Sequence, residues 1–298
     1  MSWCNNPVAA AAVAAALACA IVRRARNNNT YSDSPEQKDR SARWNAIYTR
    51  KGALADMSTP LHVLGGYDMY TLEQWVQQVA LLCGPTTGRR ALGLFKGARL
   101  LEVGVGGGAF VDGLDRAYAD ADGTSDQVCG LQLHGVDYSV SLIKCVSARL
   151  SGRFAVADAR DLGATVPWLR DGDAARVPNF DCVVSFGVTQ YLNDLDDVRK
   201  MICEMGRVAH PGARVLVAEV SDMGKKALAD QLRGKTHASG KLKKVSSDAP
   251  THLYVPKDFW EETARSAGLE VICIEDHTQI GLSYATAAYR YSVWLKKL

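Results

Sequence analysis

Three carboxylates, Glu102, Asp137 and Asp158, and three glycines, Gly104, Gly106 and Gly108, are the residues whose type and spacing best suit ligand binding. An apolar run from Leu100 carries Glu102, the glycines follow at once, and a helical pattern resumes near Ala109. Glycine between strand and helix lets backbone approach a ligand closely and turns N–H groups toward an anion. That anion is either a dinucleotide pyrophosphate or the carboxylate of an amino-acid-like cofactor. Gly104, Gly106 and Ala109 satisfy the dinucleotide pattern G-x-G-x-x-A, a weak signal alone. Two more apolar runs end in acids: Leu131 to Val136 leads into Asp137-Tyr138, and Phe154 to Ala157 into Asp158-Ala159. An acid ending the second strand accepts ribose hydroxyls, chemistry common to several adenosine-bearing cofactors. The Gly108–Asp137 interval exceeds the usual roughly 20 residues; a polar, turn-rich insertion at Asp120 to Gln127 accounts for the excess.

Glu102, Gly104, Gly106 and Gly108 together match E-x-G-x-G-x-G, and this resembles motif I of the class I S-adenosylmethionine (SAM) methyltransferases. The resemblance is closest over 98–220 and implies SAM as cofactor. It implies that Glu102 helps hold the loop and the amino-acid end of SAM, that Asp137 takes the ribose, that Tyr138 packs on the adenine ring and that Asp158 meets the adenine amino group. Ala159 and Phe186 join this cofactor-binding set. Trp44 and Tyr48 resemble the W-x-x-x-Y element that closes over the amino-acid end, although i,i+4 aromatic residues also pack on a core. A strand from Phe180 to Gly187 and the segment through Tyr191 resemble motif IV, where aromatic residues flank the transferred methyl group.

The family's fold is α/β: a Rossmann-like, seven-stranded, mostly parallel sheet with helices on both faces, an antiparallel last strand and a helical cap. Along the chain this predicts an amphipathic helix over 71–83 and another over 195–208. A Pro211-Gly212 turn follows, then a strand over 214–220 and two last strands over 269–274 and 289–295. His252 and His277 are the candidate general bases, since both flank cap or strand-end regions; Tyr191, with Tyr254 and Tyr284, is a candidate to orient the acceptor. After the fourth strand there is no D/N-P-P-Y/F/W, which disfavours methylation of adenine or glutamine amides, and no acidic metal-ligand set, so no metal is expected. Aminopropyl transfer would want an Asp where Phe186-Gly187 stands.

Length and composition bound the rest. The 298 residues suffice for one catalytic domain, and a net charge of +3 does not argue for nucleic acid. The eight cysteines contain no C-x-x-C pair, which fits a reducing compartment rather than a zinc site or disulfide framework. Pro7 to Val22 is uncharged and mainly alanine, followed by Arg23-Arg24-Ala25-Arg26. It is slightly shorter than the roughly 17–25 residues of a spanning helix; as an anchor it would leave the catalytic domain in the cytoplasm. A cleaved targeting segment and an unstructured tail are the other readings.

The expected organisation is thus an N-terminal segment and linker over 1–35, a helical cap over 36–96 and a methyltransferase core over 97–298. A basic insertion at 221–256 serves as solvated face or lid. The expected function is methyl transfer to a small molecule, with oligomeric state open and no nucleic-acid partner. An NAD(P)-dependent oxidoreductase and a non-catalytic subunit of the same fold are the alternatives.

Overall fold

The computed structural model describes residues 72–83, 88–95, 97–114, 131–169, 180–238, 252–284 and 286–298, with side chains at 165 and 233–238 excepted. Seven strands form one sheet: β1 (Arg99–Val103), β2 (Gln132–Asp137), β3 (Arg153–Val156), β4 (Phe180–Phe186), β5 (Ala209–Ser221), β6 (Leu269–Asp276) and β7 (Arg290–Lys297). Their order is β3-β2-β1-β4-β5-β7-β6. β7 runs antiparallel to both β5 and β6; the β1–β2, β2–β3, β1–β4 and β4–β5 pairs are parallel. The chain builds outward from β1 to β3 and then resumes on the other side of β1 with β4. In an open parallel sheet, such a reversal leaves a crevice beyond the carboxyl ends of the two strands.

Alternation along the strands explains why both faces need helices. Leu101, Val103, Val183, Val215 and Val217 point to one face. Leu100, Cys182, Val184, Leu216 and Ala218 point to the other. A strand buried on both sides reads as a nearly continuous apolar run. Helix α1 (Leu72–Cys83) and the helix at 109–114, α2, cover the second face with Trp75, Val79, Leu82, Phe110 and Leu114. Helix α3 (Val140–Arg149) starts at Ser139, whose side chain accepts from the Leu142 N–H. Helix α4 (Leu195–Val208) is capped by Asp194, with Asp196 and Asp197 in its first turn and Arg207 in its last, as the helix dipole favours. Helix α5 (Lys226–Ala238) follows β5, and α6 (Phe259–Ser266) leads into β6. Met201, Ile202 and Met205 of α4 and Trp260 and Ala264 of α6 fill the first face.

The structure departs from the sequence reading in two places. β5 begins at Ala209, and its pairing with β4 jumps from Phe180–Ala209 to Cys182–Arg214. Pro211-Gly212 therefore lies in a bulge, with Gly212 at φ 85°, rather than in a turn before the strand. Second, α1 is a layer of the sandwich: Trp75, Val79, Leu82 and Cys83 are buried against strands of the same core. The proposed boundary at 96/97 thus divides residues that share one core, and 36–71 lie outside the described residues. Of the basic insertion, Lys225 pairs with Asp276 at 3.1 Å and Lys226 with Asp230 at 2.6 Å. Lys241, Lys243 and Lys244 lie outside the described residues, as does 7–22, and no described helix is long and apolar enough to cross a membrane.

Candidate active site

β1 hands the chain to the crevice through the glycine loop. Gly104, Gly106 and Gly108 adopt φ values of 84°, 54° and 90°, the left-handed region that side chains resist. The N–H groups of Gly104 and Val105 both donate to the Val136 carbonyl, at 2.8 and 2.9 Å. Gly106 donates to Asp137 Oδ2 at 2.9 Å, and Ser139 N–H to Oδ1 at 2.8 Å. The loop after β1 is thereby clasped to the end of β2. A Cβ added to Gly104 would lie 2.2 Å from Val188 Cγ2, so the loops after β1 and β4 meet at the reversal point of the sheet.

The acids differ in their surroundings. Burial lifts the Asp137 carboxyl to about 6, against the opposing effect of the Ser139, Gly106 and Tyr138 backbone N–H groups. Three backbone N–H groups thus bond this carboxylate, which offers about four acceptor sites. Glu102 is 2% exposed. Burial first, and the nearby Asp137 charge second, hold its pKa well above the usual carboxylate range, and its Oε2 has no hydrogen-bond partner. Tyr138 is half-buried beside Asp137, and Ala159 is half-buried on the edge of the core.

Asp158 requires a correction. The resemblance implied an acid open to the adenine amino group. Here both its oxygens accept from Arg160 Nε, at 3.0 and 3.1 Å, and Oδ2 also accepts from Nη2 at 2.7 Å. Arg160 reaches on to Asp197 at the start of α4, with Nη1 3.0 and 3.1 Å from the two oxygens. The intervening guanidinium, invisible as a partner in the sequence, makes Asp158 a brace of the loop after β3.

Phe186 stands in an aromatic wall, edge-on to Trp75 at 5.0 Å and stacked with Phe110 at 5.9 Å. Beyond it, the turn Thr189–Tyr191 brings Tyr191 against His252, ring centroids 5.4 Å apart. The Leu253 N–H donates to the Gln190 carbonyl at 2.9 Å, which fixes the His252 segment beside that turn. Trp44 and Tyr48 lie outside the described residues.

A methyltransferase-domain family profile matches residues 75–274, more than half of the chain. The chain belongs to the class I, SAM-dependent methyltransferases. Among curated proteins none matches significantly. Similar solved structures include the magnesium protoporphyrin IX methyltransferase of Synechocystis PCC 6803 with bound SAM, at 12% identity over 90% of this chain and 100% of that one, TM-score 0.48. Human N-acetylserotonin methyltransferase in complex with SAM shares 14% identity over 85% of this chain and 58% of that one, TM-score 0.49. A SAM-dependent methyltransferase from Methanosarcina mazei shares 15% over 69% and 95%, TM-score 0.46.

The oxidoreductase reading of Gly104, Gly106 and Ala109 gives way to that family match. The methyltransferase's site fits SAM on two counts of its own geometry. Glu102 Oε2 is a buried carboxyl oxygen without a hydrogen-bond partner, and a cationic donor at the cofactor's amino-acid end would favour its ionised, accepting form. Asp137, clasped to the glycine loop, keeps acceptor capacity for a ribose hydroxyl.

His277, a candidate base from sequence, is not positioned as one in the methyltransferase. It is fully buried, and burial above all drives its pKa down to about 4, so the ring is neutral. Its Nδ1 meets the Tyr284 hydroxyl, and Nε2 lies 2.7 Å from Ser292 Oγ. Tyr254, 4% exposed, packs in the core with Ala229 and Tyr289.

Sequence reasoning named His277 and Tyr284 but missed the buried charges they meet, Glu219 and Arg290. Glu219, near the end of β5, holds φ 64° and is 6% exposed. Its Oε1 accepts from Gln78 Nε2 at 2.7 Å and from the Tyr284 hydroxyl. Arg290 Nη1 donates to the Glu219 carbonyl at 2.6 Å and to Gln190 Oε1, and lies 3.5 Å from Glu219 Oε2. Burial would raise the Glu219 pKa, but Arg290, His277, Tyr284 and Gln78 together bring it below the usual value. The available signal was a lone charge inside each of two apolar strands, Val217-Ala218-Glu219-Val220 and Tyr289-Arg290-Tyr291.

Proposed function

We propose that the protein transfers the SAM methyl group to a small-molecule acceptor in line, at the carboxyl edge of β1, β4 and β5. The observation that carries this reading is the clasp of the glycine loop onto Asp137, with the Tyr191–His252 ring pair across the same edge. SAM supplies a methyl group on a sulfonium whose leaving group needs no protein assistance. The chain's task is therefore alignment and exclusion of water.

In this reading Gly104, Gly106 and Gly108 let the backbone lie against the cofactor. Asp137 accepts from the ribose and Glu102 supports the amino-acid end. Tyr138 and Ala159 flank the adenine, and Phe186 walls the cofactor on the side of Trp75 and Phe110. Trp44 and Tyr48 close over the amino-acid end. Tyr191 orients the acceptor, and His252 takes its proton where the attacking atom carries one. The ring pair supports these last two roles because it sets an imidazole beside a phenol on the turn that follows β4. Of the insertion's cations, Lys225 and Lys226 are held in ion pairs with Asp276 and Asp230.

The test is to incubate the full-length protein with methyl-tritiated SAM and either a low-molecular-mass extract, total RNA or total protein. Label entering only the low-mass fraction is expected; label in RNA or protein would overturn the small-molecule reading. With an acceptor in hand, His252→Ala is expected to lower kcat by about 10²–10⁴. SAM affinity should stay unchanged.

A further inference from the structure

A cavity of about 460 Å³ opens between the start of α1 and the segment joining β6 to β7, lined by Gln74, Thr278, Leu282, Ser283, Tyr284 and Ala287. It lies on the carboxyl edge of the sheet, because β6 ends and β7 begins there. It is distinct from the glycine loop and suits a compact, partly apolar ligand. The Tyr284 wall joins it to the buried polar group around Glu219.

Proton placement in that group has one consistent solution. Glu219 is ionised and can only accept, so the Tyr284 proton lies toward Glu219 Oε1. The Tyr284 oxygen must then accept from His277 Nδ1–H. That leaves His277 Nε2 as an acceptor for the Ser292 hydroxyl proton, and Ser292 Oγ accepts the Glu219 N–H at 3.4 Å. Gln78 follows the same logic: its Nε2 donates to Glu219, leaving a buried Oε1 without a partner. Gln78 Oε1 is thus an unmet acceptor and Arg290 Nε an unmet donor, while the Tyr284 proton is already committed to Glu219.

We propose that this cavity is the acceptor's subsite and that Tyr284 selects a hydroxyl-bearing small molecule by accepting its proton in a hydrogen bond. The inference rests on the methyltransferase reading above and adds the acceptor's polarity to it. Glu219, His277 and Ser292 are positioning residues that act through Tyr284 by fixing the direction of its hydroxyl. A site built to bond a hydroxyl discriminates strongly against the analogue without it.

Phenol and anisole, which share a ring and differ in that proton, test this directly. Each is titrated calorimetrically into the full-length protein saturated with S-adenosylhomocysteine. Phenol is expected to bind at least about tenfold tighter than anisole, with the preference falling below about twofold in Tyr284→Phe. Glu219→Gln gives a second readout that a merely structural role would not move. A glutamine amide can donate to Tyr284 and turn its hydroxyl outward, so anisole should gain on phenol. Equal affinities in the wild type, an unchanged preference in both variants, or binding of neither probe while S-adenosylhomocysteine binds would overturn the proposal. Failure of S-adenosylhomocysteine itself to bind would instead overturn the cofactor reading beneath it.

Discussion

Asp137 concentrates the cofactor chemistry at one titratable residue. Ribose hydroxyls donate best to its ionised form, and burial lifts the carboxyl to about 6. SAM binding stabilises the charged state, so affinity is fully present above that pH and falls as pH drops through it. Calorimetry between pH 7.5 and 5 should show SAM binding weakening by about tenfold per unit below 6, as linkage to one proton requires. Asp137→Asn should remove that dependence along with most of the affinity. Gly104 is the steric counterpart. Gly104→Ala places a Cβ at φ 84°, 2.2 Å from Val188 Cγ2. A loss of roughly 2–4 kcal/mol is expected in urea denaturation. The glycines and Asp137 were legible in the sequence because local backbone demands and a strand-end position mark them. The Arg160 clasp on Asp158 was not, since the guanidinium's choice of partner depends on Asp197, brought in by α4.

Among the elements, α1 links core and site. Trp75 is 1% exposed, meets Phe186 edge-on and donates from Nε1 to the Ala109 carbonyl at 3.0 Å, where α2 starts. Trp75→Ala is expected to cost about 3–5 kcal/mol in chemical denaturation. SAM affinity should fall with it, because the start of α2 loses its support. A variant of unchanged stability would contradict this packing. The helix was legible from its apolar spacing, whereas its place as a layer of the sandwich was not: periodicity fixes which face is buried, not what covers it. The β5 start was misjudged for a related reason. Pro-Gly reads as a turn, yet Phe180–Ala209 pairing resumes the sheet before it and the dipeptide bulges out.

Across the whole molecule, the sheet order brings together residues distant in sequence. Gln78, Gln190, Glu219, Tyr284 and Arg290 come from α1, the turn after β4, β5, the segment after β6 and the start of β7. Locally the sign of this group is a lone charge inside each of two apolar strands; which partners meet is set by the sheet order. The group carries a global consequence through His277, whose pKa falls to about 4 in the fold, mainly by burial. Between that value and its ordinary value near 6.5, the unfolded chain binds the proton and the folded one does not, so stability declines as pH falls across this window. The contribution is on the order of 3 kcal/mol. About 2 kcal/mol of it is lost between pH 7 and pH 5, so urea unfolding at those two values should differ by that much, and less so in His277→Gln. The central claim, that the carboxyl edge of β1 and β2 is a SAM site, is tested most directly by calorimetric titration of the full-length protein with SAM and S-adenosylhomocysteine, with NAD⁺ and NADP⁺ as controls. Micromolar binding of both adenosyl ligands, abolished by Asp137→Ala, is the predicted result. Binding of a nicotinamide nucleotide instead, or SAM affinity unchanged in Asp137→Ala, would contradict it.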